Sequence, residues 1–219
     1  RVLPDTDFLT SLRIDHRAGP VDITAIKQSE EVLAKANRRL EEEVARRTAE
    51  LEQLMRTDPL TGVGNRRRLI EDLDGAIARA VQRGTPLTAI FLDLDHFKKI
   101  NDVHGHPIGD RVLSRVARTL RANLRDEDLL CRYGGEEFVV ILEKTPLLEA
   151  LRVAERLRGA IGRIRLREMD GSVSASAGLA AWRTGESGDG FLARADQALY
   201  RAKAEGRDRC ALSEVEQAA

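Results

Sequence analysis

Residues 87–101, Leu-Thr-Ala-Ile-Phe-Leu-Asp-Leu-Asp-His-Phe-Lys-Lys-Ile-Asn, set two acids, Asp93 and Asp95, where an apolar run ends. The run 87–94 reads as a buried strand. Side chains two apart on a strand share a face, so both carboxylates point the same way. A second acid pair, Glu136-Glu137, lies in Cys-Arg-Tyr-Gly-Gly-Glu-Glu-Phe-Val-Val-Ile-Leu, residues 131–142. Short apolar segments at 129–133 and 138–142 read as strands, with Gly134-Gly135 between them as a turn in which both glycines take positive φ. Adjacent like charges repel, and a hairpin end does not require them. If the 87–94 strand lies beside this hairpin, Asp93 approaches Glu136 and Glu137, and such a cluster is hard to keep ionised without a cation. Hard carboxylate oxygens suit Mg²⁺ or Mn²⁺, and a metal held this way implies a phosphate substrate. The glycines, lacking side chains, let a nucleotide come close to the main chain.

Positioning these acids takes a sheet with helices packed on it. Helical apolar spacing covers 66–81 (Leu69, Ile70, Leu73, Ile77, Val81), 108–124 (Val112, Leu113, Val116, Leu120), 147–161 and 191–204, while 173–182 alternates as a strand. Strands and helices mixed around a hairpin predict an α+β fold. Upstream, residues 23–57 contain neither Gly nor Pro. With Val44 and Leu51 at heptad position a, Ile26, Leu33, Leu40 and Leu54 fall at d, the seam of a parallel two-stranded coiled coil. Glu30 and Asn37 at a, and Arg47 at d, make that seam imperfect; Asn37 pairs with its counterpart to fix register, while the two charges weaken it. Residues 1–21 have no clear period, and Thr57-Asp58-Pro59 marks the end of the coil.

The chain has 219 residues with 36 basic and 36 acidic side chains, so no global charge argues for nucleic acid or an anionic membrane as partner. No apolar stretch approaches the roughly 20 residues needed to span a bilayer. Cys131 and Cys210 have neither metal-ligand spacing nor a disulfide framework, which points to a reducing cytoplasm.

Four separated motifs carry a resemblance: 58–67 (Asp-Pro-Leu-Thr-Gly-Val-Gly-Asn-Arg-Arg), 93–102 (Asp-Leu-Asp-His-Phe-Lys-Lys-Ile-Asn-Asp), 105–110 (Gly-His-Pro-Ile-Gly-Asp) and 132–138 (Arg-Tyr-Gly-Gly-Glu-Glu-Phe). In this order, and with Tyr200, Lys203, Gly206 and Arg207 near the end, residues 57–212 resemble the GGDEF-domain diguanylate cyclases. The resemblance implies a palm-like nucleotidyl cyclase fold with a central, mainly antiparallel sheet flanked by helices. It implies condensation of two GTP into cyclic di-GMP and two pyrophosphates. Carried over by position, Asp93, the Leu94 carbonyl, Glu136 and Glu137 would bind up to two Mg²⁺ or Mn²⁺ ions, and Glu136 and Glu137 would be the catalytic acids. The N–H groups of His96 and Phe97, with Lys98, Lys203 and Arg207, would hold the phosphates. Asn101, His106 and Asp110 would contact substrate, with Asn101 and Asp110 on guanine, and Gly134 and Gly135 would border it. The sequence departs from the family at Asp208, where asparagine is often seen, and at Gly64, where proline is common.

Arg125-Asp126-Glu127-Asp128 matches the family's RxxD inhibitory motif, with Arg156 a further arginine of that site, so cyclic di-GMP is expected as product and inhibitor. Ring closure from two GTP needs two domains face to face, hence a homodimer held by the coil. The expected organisation is 1–24 as the remnant of an upstream PAS-like sensor, 25–57 as the coiled-coil helix, 58–214 as the cyclase domain and 215–219 as a tail. The competing expectations are an inactive cyclic di-GMP receptor and a dimerising scaffold.

Overall fold

The structure is a computed structural model that describes residues 23–169 and 171–214. The expected sensor remnant, apart from its last two residues, and the expected tail lie outside the described residues, as do the side chains of the seam positions Ile26, Leu51 and Leu54. The chain divides into two compact units, residues 1–50 and 51–219. The helix α1 (Ile23–Arg56) runs unbroken. Within the first unit, Val32, Leu33, Leu40 and Val44 are all more than half exposed.

In the second unit the elements follow in the order β1 (Gly64–Asn65), α2 (Arg66–Arg83), β2 (Leu87–Leu94), α3 (Phe97–His104), α4 (His106–Ala122), β3 (Leu129–Gly134), β4 (Glu137–Glu143), α5 (Leu147–Gly162), β5 (Ala175–Ala181), α6 (Gly188–Ala204) and β6 (Cys210–Leu212). One six-stranded sheet has the order β1-β3-β4-β2-β5-β6. The pairs β3–β4, β4–β2 and β2–β5 are antiparallel, and only the short edges β1 and β6 pair in parallel. The α+β, mainly antiparallel expectation therefore holds.

The sheet is covered on both faces, which is why β2 reads as a nearly unbroken apolar run rather than an alternation. Ile90, Leu92 and Leu94 pack in one cluster with Val116 and Leu120 of α4 and Leu157 of α5. Ala89 and Phe91 pack on the other side with Leu69 and Leu73 of α2 and Phe191 and Leu199 of α6. Local signals set the helix ends. Asn65 caps α2 by accepting from the Arg68 N–H, Gly84 closes it at φ 61°, and Ser187 caps α6 by accepting from the Gly190 N–H.

Three elements are absent from the sequence reading: β1, β6 and α3. Elsewhere the bounds move by a few residues; the expected strand 173–182, for instance, is Ala175–Ala181. The hairpin also differs. Gly134 ends β3, the turn is Gly135-Glu136, and Gly135 alone of the two glycines has positive φ, at 47°. A register shift between Arg132 and Gly134 absorbs the residue that a symmetric Gly-Gly turn would have used.

Candidate active site

The central strand ends in acid. Asp93 on β2 pairs across to Glu137 on β4 and to Ser176 on β5. Glu136, at the hairpin tip, accepts the Leu94 N–H through its main-chain oxygen at 3.4 Å, which ties the turn to the end of β2. Two carboxylates directly opposite on neighbouring strands destabilise a sheet unless a cation joins them. Here Lys203 of α6 supplies it, with Nζ 2.8 Å from Asp93 Oδ2. Burial pushes the Asp93 carboxyl above its ordinary range; Lys203 pulls it down, and Glu136 and Asp95 push it further up. Burial likewise raises Glu137, with Asp93 adding to the rise, Lys203 opposing it, and Asp196 of α6 and Glu136 contributing. Among the described residues no three His, Cys, Asp or Glu side chains stand close enough to form a ready metal cage. The donor chemistry nonetheless suits a hard divalent ion: acidic oxygens that raise one another's proton affinity and only one lysine against them.

Asp95 shares the sheet face of Asp93, as expected, but its oxygens are taken. Oδ1 accepts from Ser176 Oγ at 2.7 Å, and Oδ2 accepts from Ser174 Oγ at 2.9 Å and from the Asp208 N–H at 3.1 Å. His96 then turns the chain with φ 56°, and α3 begins at the buried Phe97. The first-turn N–H groups of α3 form the positive end of a helix, beside the exposed Lys98.

Gly105, with φ 81°, joins α3 to α4. The two helices touch through Asn101 and the buried Gly109: a Cβ at 109 would overlap Asn101 Oδ1 and stand 3.2 Å from Phe97 Cζ. His106 opens α4 and Asp110 follows one turn later, both exposed, so Asn101, His106 and Asp110 belong to one helical corner. Arg207 is exposed on the turn after α6 with φ 63°.

The hairpin has a support that the sequence did not reveal. Arg132 donates from Nε to Gly135 O at 2.9 Å and from Nη1 to both oxygens of Asp58 at 3.2 Å. Both side chains are only 16% exposed. Asp58 also accepts from the Thr61 N–H, so the Asp-Pro-Leu-Thr loop and the acidic turn are one hydrogen-bonded unit. Burial raises the Asp58 carboxyl, but the Thr61 donors and Arg132 outweigh it and leave it below its ordinary range.

Arg125 and Asp128 do not form a simple surface ion pair. The buried Asp128 accepts the Arg125 N–H at 2.8 Å and closes the loop on itself, while the Arg125 side chain stays 67% exposed. Arg156 of α5 donates to Asn123 O at 3.0 Å and so borders the loop that carries Arg125, while Arg121, which the sequence did not single out, donates to Asp128 O.

Acids at the end of the central strand, the N-terminus of α3, Lys203 on α6 and Arg207 on the turn after it are the groups the structure offers here. Residues 55–209 match the family described as "Diguanylate cyclase, GGDEF domain", and the chain belongs to that family. It is 48% identical over 155 residues to the diguanylate cyclase DgcP of Pseudomonas aeruginosa, covering 70% of this chain and 23% of that protein. It is 45% identical over 161 residues to the response regulator PleD of Caulobacter vibrioides, covering 71% of this chain and 36% of PleD. The chain thus spans well under half the length of these relatives. Among solved structures, the coiled coil and GGDEF domain of DgcB from Caulobacter crescentus, in complex with c-di-GMP, matches at TM-score 0.77 and 31% identity over 84% of this chain and 98% of that one. The active GGEEF domain of a Vibrio cholerae diguanylate cyclase matches at TM-score 0.65 and 37% identity, over 69% and 98%. Among the described residues no helix is long and apolar enough to cross a membrane.

Proposed function

We propose that this chain is a diguanylate cyclase that condenses two GTP into cyclic di-GMP with release of two pyrophosphates. The observation that carries the reading is Asp93 facing Glu137 at the end of the central strand, beside the Glu136 turn and the start of α3. Asp93, the Leu94 carbonyl, Glu136 and Glu137 are the oxygens that would hold Mg²⁺ or Mn²⁺. Such an ion, when bound, neutralises the α-phosphate and the leaving pyrophosphate and acidifies the 3′-hydroxyl. The chain's own groups do the rest. The N–H groups of His96 and Phe97, with Lys98, Lys203 and Arg207, would orient the β- and γ-phosphates, Lys203 from its place beside Asp93. Glu136 and Glu137 are placed at the turn to receive the hydroxyl proton, with Gly134 and Gly135 leaving the main chain open to the nucleotide. Asn101 and Asp110 read guanine, with His106 beside them. A carboxylate accepts from guanine N1–H and its 2-amino group, whereas adenine offers a lone pair at N1, so Asp110 selects against ATP.

The domain spans 58–214, preceded by the coiled-coil segment 25–57, most of it in α1. The exposed apolar residues Leu33, Leu40 and Val44 support pairing of two such helices, which brings two GTP-loaded domains together. A PAS-like sensor upstream would set the geometry of the pair, in the cytoplasm. Arg125, the loop shaped by Asp128, and Arg156 form the product-binding inhibitory site; Arg125→Ala should raise the product concentration needed for half-inhibition by at least about tenfold.

The deciding experiment incubates the purified chain with GTP and Mg²⁺ and resolves the nucleotides by chromatography. Cyclic di-GMP and pyrophosphate are expected, and both are lost in Glu136→Gln. Binding of cyclic di-GMP without its synthesis would make the chain a receptor, and indifference to both nucleotides would make it a scaffold.

A further inference from the structure

We propose that Asp95 is a positioning residue that holds the turn carrying Arg207, so that the two acids of the Asp93-Leu94-Asp95 segment divide their work between the cation and the main chain. This inference rests on the reading of Arg207 as a contact for the terminal phosphates. Asp95 is 5% exposed. Its carboxylate accepts three hydrogen bonds, from the hydroxyls of Ser174 and Ser176 and from the main-chain N–H of Asp208. Its own N–H donates to Ser174 O at 2.9 Å, which fixes the acid to β5's approach as well. A carboxylate so occupied has little capacity left for a metal ion.

What it holds is a strained turn. Arg207 and Asp208 have φ of 63° and 45°, a conformation uncommon for residues with a Cβ, and least costly for one such as aspartate. The Arg207 N–H donates to Ala202 O at 3.0 Å, which closes the C-terminus of α6. Asp208 is then gripped from two sides. Its N–H goes to Asp95, and its Oδ1 accepts from Arg158 Nη1 of α5 at 2.7 Å, with Arg158 also held by Glu155 at 2.8 Å. The aspartate that stands where the family often has asparagine therefore has a guanidinium partner suited to its charge. With the neighbour fixed, the exposed Arg207 side chain leaves the main chain from a set position in the turn that follows α6, four residues after Lys203 at Asp93. Without the clamp the turn relaxes, and Arg207 spends its contact on ordering itself.

The test measures equilibrium binding of a nonhydrolysable GTP analogue and of GMP, both with Mg²⁺, to the full chain and to Asp95→Asn, Arg207→Ala and the double variant. Asp95→Asn should weaken the triphosphate by about tenfold and GMP by less than about twofold, because GMP has no terminal phosphates for Arg207 to meet. The double variant should bind no more weakly than Arg207→Ala, since both changes remove one contact. Equal losses for GMP and the triphosphate, full additivity, or recovery of Asp95→Asn by added Mg²⁺ would each overturn the proposal; the last would make Asp95 a metal ligand. If Arg207→Ala itself leaves triphosphate binding unchanged, the phosphate role of Arg207 falls, and the proposal with it, which is a different result from an effective Arg207→Ala with a silent Asp95→Asn. Ser174→Ala, which removes one donor from the same oxygen as the Asp208 N–H, keeps the comparison available if Asp95→Asn does not fold, with a loss of about threefold expected for the triphosphate alone.

Discussion

Gly178→Ala should separate α6 from the sheet and disable the site from a distance. Gly178 lies on β5 opposite Asp93's strand, and α6 rides directly on it. A Cβ there would stand 2.7 Å from the Ala198 carbonyl carbon and closer still to Leu199 N and Ala195 O, whereas ordinary contact begins near 3.4 Å. All three are main-chain atoms, so no rotamer change relieves the clash, and the helix must retreat by at least 0.7 Å, the gap between 2.7 and 3.4 Å. Overpacking of this kind costs about 3 kcal/mol. In a protein of this size that lowers the melting temperature by about 6–12 °C. Lys203 moves with α6, and misplacement approaching 1 Å in a reacting constellation reduces turnover by about tenfold to a hundredfold. Gly162→Ala, at the end of α5, is the control, because nothing lies within 4 Å of its Cβ position and its φ is not positive. It should melt within about 1 °C of the parent. Thermal unfolding followed by circular dichroism, with cyclic di-GMP formation measured in parallel, reads both effects. A Gly178→Ala protein that melts within about 2 °C of the parent would refute the close approach of helix and strand.

Arg132→Met should cost about 2–3 kcal/mol in urea unfolding at pH 7 by leaving Asp58 partly buried without its guanidinium. The folded Asp58 carboxyl sits below its ordinary range, so its stabilising contribution is present above the unfolded pKa and is lost as pH falls through the folded value. The deficit of the variant should therefore shrink in acid, and a deficit constant from pH 7 to pH 3 would contradict the pairing. Asp93 and Glu137 carry the opposite sign: each binds its proton more tightly folded than unfolded, so the metal-free protein should lose stability as pH rises through the raised values. Melting curves with and without Mg²⁺ should then show a stabilisation by the ion that grows with pH; a pH-independent increment would refute a carboxylate site. Gly109→Ala meets the Asn101 side chain first and Phe97 next, so it should raise the KM for GTP about tenfold while the melting temperature falls only slightly. Unchanged KM would disconnect Asn101 from guanine.

The sequence was most legible where one physical signal dominated. The run 87–94 is β2 to the residue, because a strand covered on both faces must be apolar throughout. The acids at its end were legible too, since a period of two fixes their shared face. The helix α3 was not: its eight residues include Lys98, Lys99, Asp102 and His104, and only Phe97 is buried. The strands β1 and β6, of two and three residues, are too short to carry a period. The hairpin turn moved because two adjacent glycines suggest a symmetric turn, while the register shift before them does not show in composition. Asp95 taught the same lesson at longer range. Its three donors come from 79, 81 and 113 residues downstream, a distance over which no local pattern runs. Asp58 and Arg132 met across 74 residues for the same reason.

The two outermost strands of the sheet have a consequence for how copies of this protein meet and part. At two residues on one margin and three on the other, neither outermost strand offers a long row of free amides and carbonyls on which a second sheet could template itself. Encounters between two molecules are thereby left to side chains and helix surfaces, and if two domains close a cyclic dinucleotide between them as proposed, those are the contacts that must loosen to let it go.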